Sequence, residues 1–117
     1  MEISKYRKFN RYIDVNKNVW IVNHLIWEAR DLPIIDYSIK DIIIDDKLFW
    51  KLDTTRDFLV HYEKVSQANL DYPIIINAEG GIMDGRHRLV KAILEGRESI
   101  KAVKFVVTPK PDYVDKT

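Results

Sequence analysis

Apolar residues recur along the chain in two rhythms, and their alternation outlines the elements. Trp20–Val22 reads as a short strand. Asn23 then suits a helix N-cap, with Leu25, Ile26 and Ala29 on one face of a short helix that ends before Asp31-Leu32-Pro33. Pro33 breaks the chain, and the β-branched stretch Ile34–Ile44 predicts one or two strands. Asp45–Asp53 is polar enough for a loop, anchored by Phe49 and Trp50.

Thr54-Thr55-Arg56-Asp57 has capping-box spacing with Asp in the fourth place. Phe58, Leu59, Tyr62 and Val65 follow at helical intervals, so a helix is predicted over 55–68. Asp71-Tyr72-Pro73 ends it. Pro73–Asn77 (PIIIN) reads as a buried strand, Glu79-Gly80-Gly81 as a turn and Ile82–Asp84 as the returning strand of a hairpin. A second helix over 86–95 follows at once, with Gly96 suited to its C-terminal cap, and Ile100–Thr108 predicts a last strand. Strands mixed with a few helices, without regular alternation, favour a compact α+β domain over 20–108. Residues 1–19 read as an N-terminal arm and 109–117 as a polar C-terminal tail.

Composition bounds the chemistry. With 117 residues, 46% hydrophobic and 32% charged, the chain has the make-up of one globular domain. There are no cysteines, which excludes disulfides, thiolate metal sites and cysteine nucleophiles. No apolar run approaches the ~20 residues that span a bilayer, and no signal-peptide pattern opens the chain, so a cytoplasmic protein without a membrane partner is expected. The net charge is +1 but unevenly spread. Over residues 1–12, Lys5, Arg7, Lys8 and Arg11 face only Glu2, and from Gly85 onward eight bases meet four acids.

One stretch concentrates this excess. In Met83-Asp84-Gly85-Arg86-His87-Arg88, three residues that can be cationic crowd a helix start that already carries partial positive charge. They oppose the helix unless an anion sits there. The free backbone N–H groups of the first turn point at such an anion, Gly85 leaves the backbone approachable, and guanidinium forks match phosphate oxygens. On a helical wheel Leu89, Val90 and Ile93 define the buried arc. Arg86 falls within that arc, whereas Arg88 lies on the polar side with Lys91 and Glu95. Asp84 has three readings: helix cap, magnesium ligand beside a phosphate, or catalytic proton acceptor. Pairing of Arg86 with Asp84 or Glu79 is the competing structural account. His24, His61 and His87 lack metal-ligand spacing, and His61 reads as structural. Trp20, Trp27 and Trp50 read as core or patch residues, and no phosphate loop, dinucleotide fingerprint or nucleophile elbow is present.

The stretch PIIINAEGGIMDGRHRLVKAILEGRESIKAVKF resembles the ParB/sulfiredoxin superfamily, in particular its bacterial ParB-like members. The likeness covers residues 70–107. It lies in an apolar strand, a turn, a D-G-x-H-R-like box opening a helix that ends in glycine, and a following strand; DLPIIDYSIKDI adds a weaker match. The resemblance implies a mixed sheet with helices packed around it, and a nucleotide-phosphate site at the box that takes ATP, ADP or CTP, with Mg²⁺. By position it makes Gly85, His87 and Arg88 phosphate contacts and matches Asp84 to an acidic residue of kinase-like boxes. Arg86 stands where sulfiredoxin has its reactive cysteine, which excludes that chemistry. The resemblance stops short of the DNA-binding and dimerisation segments of a full partition protein, which would follow Phe105, so partition-type DNA loading is not expected of these residues.

Three functions therefore stand as expectations. The first is a nucleotide-binding domain with phosphates at Gly85, Arg86, His87 and Arg88, supporting phosphoryl transfer or slow hydrolysis. The second is a DNA-associated accessory module that uses its basic arm. The third is a protein-interaction domain with no occupied site.

Overall fold

The computed structural model describes residues 10–44 and 49–116. Its elements are β1 (Arg11–Ile13), β2 (Asn18–Ile21), α1 (Val22–Glu28), β3 (Ile35–Ser38), α2 (Thr55–Gln67), β4 (Ile74–Ile76), β5 (Ile82–Asp84), α3 (Arg86–Leu94), β6 (Ser99–Lys104) and β7 (Tyr113–Val114). A single 3-10 turn, Ile39–Asp41, follows β3. Three α-helices around two sheets make an α+β fold.

The larger sheet has the order β3-β6-β4-β5, with β4 parallel to β6 and the other pairs antiparallel. This order explains the run of three isoleucines. A central strand covered on both faces needs apolar residues at every position, so Ile74 and Ile76 point one way and Ile75 the other. Ile74, Ile76 and Ile82 pack with Leu89 and Ala92 of α3 and with Ile100 and Ala102 of β6. Ile75, Met83 and Val103 pack on the opposite face with Trp20 of β2 and Leu25 and Ala29 of α1.

Several local predictions hold. Thr54 Oγ1 accepts from the Asp57 N–H at 3.0 Å, and Asp57 accepts from the Thr54 N–H at 3.1 Å, closing the capping box of α2. Gly96, at φ +74°, turns the chain out of α3 in the left-handed region that costs glycine little. The last strand stops at Lys104, four residues before the expected end, and Val106 and Val107 project into solvent.

Other expectations are corrected. Residues 10–19, read as the end of an arm, form the β1–β2 hairpin, while 1–9 lie outside the described residues. The hairpin turn is organised by the Asp14 carboxylate, which accepts from the N–H groups of Asn16 and Asn18, both at 2.9 Å. The polar tail contains β7, which pairs with β2 to complete a second sheet, β1-β2-β7. Asp112 secures it by accepting from the Ile21 N–H at 2.7 Å and meeting His24 at 2.8 Å. Asn23 is not the cap of α1. Strand β2 runs straight into the helix, and Ile21 holds the cap position with no side-chain bond. Among the described residues no helix is long and apolar enough to cross a membrane.

Candidate functional site

Strand β5 delivers Asp84 to the edge of a cavity of about 620 Å³, and the first turn of α3 forms its floor. The turn between them requires glycine. Gly85 has φ +100°, and a Cβ there would lie 2.5 Å from Ile74 Cγ2. Glycine is thus demanded by close packing of the turn on β4 as well as by backbone conformation.

Gly85 holds the N-cap position of α3 and has no side chain to cap with, and the first turn contains no acid. Asp84 is therefore not the cap. Its carboxylate accepts instead from Arg88 Nη2 at 3.1 Å, one turn into the helix. Arg88, read as a solvated surface charge, is only 22% exposed at its side chain. The wheel of α3 assigned it to solvent because a wheel knows its own helix alone, whereas its partner stands on the preceding strand.

Arg86 points inward as the wheel predicted. Its guanidinium carbon lies 5.4 Å from the Tyr12 ring centre and 5.1 Å from that of Phe49, and Nη1 donates to the Phe49 carbonyl at 3.3 Å. No ion pair to Asp84 or Glu79 forms. The Nε atoms of Arg86 and Arg88 are both buried without a hydrogen-bond partner among the described residues. Two such donors on one helical turn leave a deficit of acceptors.

His87 joins a cluster that the sequence reading missed. His61 of α2 places Nδ1 2.8 Å from His87 Nε2, with the two rings within 11° of coplanar. Trp50 stacks on both, at 4.6 and 4.5 Å between ring centres. Burial, followed by the nearby charges of His61, Lys64 and Arg88, pushes the His87 pKa down to about 4. His61 is lowered too, by burial and then Lys64, with Asp57 opposing. The signal available in sequence was the polar stripe His61, Lys64, Gln67 on α2, adjacent to the buried Val65.

Among the described residues, Arg11, Lys64, Arg86 and Arg88 thus line the cavity against one carboxylate, Asp84. Asp84, Gly85, Arg86, His87 and Arg88 all reach its wall, so the sequence-predicted residues are brought together. Among the described residues no group of three or more His, Asp or Glu side chains is arranged to hold a metal ion. The features define a basic, partly aromatic cavity at a strand-to-helix junction in an α+β domain. Comparisons of the chain with protein-family models, with curated proteins and with solved structures give no match.

Proposed function

We propose that this chain is a small nucleotide-binding domain whose ligand seats its phosphates on the first turn of α3. The observation that carries the reading is the uncapped, acid-free start of that helix opening into a cavity that, among the described residues, has four cationic side chains and one carboxylate. Helix dipole, free amides and guanidinium groups all favour an anion there. The guanidinium groups of Arg86 and Arg88 on the cavity wall suit a ligand rich in acceptor oxygens. A volume of about 620 Å³ lies within the usual range of small-molecule sites. The ParB/sulfiredoxin resemblance of residues 70–107 points to the same box.

Magnesium, on this reading, arrives on the phosphate oxygens, because among the described residues no carboxylate cluster stands beside Asp84 to hold it. Loaded with ATP, ADP or CTP, the arrangement supports phosphoryl transfer or slow hydrolysis by positioning and charge neutralisation. Asp84 then orients Arg88 and, among the described residues, is the carboxylate on the cavity wall available to accept a proton.

Calorimetric titration with ATP, ADP and CTP, with and without Mg²⁺, tests the reading. Saturable binding that Arg86→Ala weakens at least tenfold supports it. Absence of binding, or equal binding by the variant, removes it. Affinity for duplex DNA that falls steeply with salt, without nucleotide binding, would transfer the site to nucleic-acid phosphates.

A further inference from the structure

His61 and His87 meet edge to edge, and their geometry allows one hydrogen between Nδ1 of His61 and Nε2 of His87. Two hydrogens at 2.8 Å would repel, and so would two bare lone pairs. The rings therefore titrate as a unit with two outer nitrogens, His61 Nε2 and His87 Nδ1. In the neutral unit one outer nitrogen donates and the other accepts; with one added proton both donate.

The surroundings hold this unit in its neutral form while the cavity is empty of anion. Burial, Lys64 on α2 and Arg88 on α3 disfavour the added charge, and Asp57 on α2 favours it. Among the described residues, Arg11, Arg86 and Asp84 are the other charged groups on the wall of the cavity that both rings line. Trp50 lies parallel to the two rings within 13°, and its π face stabilises a cation stacked on it. An anion entering the cavity cancels the repulsion from the lysine and arginines and leaves the stabilising contacts in place.

Resting on the phosphate reading above, we propose that His61 and His87 form one proton-accepting unit of the site, in which phosphate binding draws a single proton from solvent onto the pair. No bond other than that N–H is formed, and the proton comes from the buffer. His61 is on this account a positioning residue acting through His87, supplied by a different helix from the one that carries the phosphate box.

The experiment is ATP binding by calorimetry in buffers of contrasting ionisation heat, comparing wild type with His61→Asn. Imidazole ¹⁵N shifts of the wild type are followed in parallel. Wild type should take up close to one proton more than the variant at pH 6.5. Its affinity should rise toward about tenfold per pH unit between pH 8 and 6, over a shallower slope for His61→Asn. The ¹⁵N signals of both histidines should move toward the imidazolium position as ATP is added. Binding with equal proton uptake in the two proteins, or with unmoved ¹⁵N signals, overturns the proton-accepting pair and leaves the phosphate site standing. Absence of binding by ATP, ADP and CTP alike overturns both.

Discussion

Ile74 stands so close to Gly85 that its Cγ2 would lie 2.5 Å from a Cβ placed there, and the glycine backbone sits at φ +100°. Both effects oppose any side chain. Gly85→Ala is therefore expected to destabilise the fold by about 1–3 kcal/mol, from strain at the turn and displacement of a core isoleucine. Urea unfolding measures it, and an unchanged midpoint would show that the turn relaxes freely.

Asp84 and Arg88 compensate one another at 3.1 Å, each about a quarter exposed at the side chain. Asp84→Asn should free the guanidinium and tighten nucleotide binding severalfold. Arg88→Ala should weaken binding at least tenfold, because it removes a cation and leaves a carboxylate facing the phosphates. Affinities moving in the same direction for both variants would contradict the counter-ion role of Asp84.

Acid should weaken the ligand-free fold before its carboxylates titrate. His87 has a pKa near 4 in the folded chain, below the ordinary histidine value of 6.5, and His61 is shifted in the same direction. The unfolded chain thus binds protons first as pH falls. The stability that the neutral pair contributes is complete above pH 6.5 and is lost toward pH 4. Urea midpoints should drop between pH 7 and pH 5, and His87→Gln should flatten much of that drop. Equal drops in wild type and variant would assign the effect to other groups.

Asp112 ties the C-terminal segment to β2 and α1 through the Ile21 N–H and His24. Asp112→Ala is expected to cost about 1–3 kcal/mol and to raise amide exchange at β7 and β1 ahead of β4 and β6. Uniform protection across the two sheets would mean that the tail is not held by this residue.

What was legible in sequence was local or periodic. The Thr54–Asp57 box, the PIIIN strand and the glycine-closed α3 each depend on residues within a turn or two of one another, so spacing alone reveals them. The inward direction of Arg86 also follows from its own helix. The β1–β2 hairpin, read as the end of an arm, was local too, its signal being the Asp14–Asn18 turn. The rest depends on partners remote in the chain. Nothing near Tyr113 announces that β7 pairs with β2. His61 and His87 lie on separate helices, and Trp50 reaches them from a loop, so their stack exists only once α2 has docked on α3. Gly85 was read for the access it gives a ligand; the closer constraint is its packing on Ile74.

Among the described residues the cavity wall is assembled from Asn10–Tyr12, from Val22, from Trp50, from residues of α2 and the turn after it between His61 and Asn69, and from Met83–Arg88. These are five stretches separated along the chain, in a protein that has no cysteine. A ligand gripping several of these stretches would work on the chain as a reversible cross-link. It would close loops that no covalent bridge closes and make the melting temperature follow its concentration.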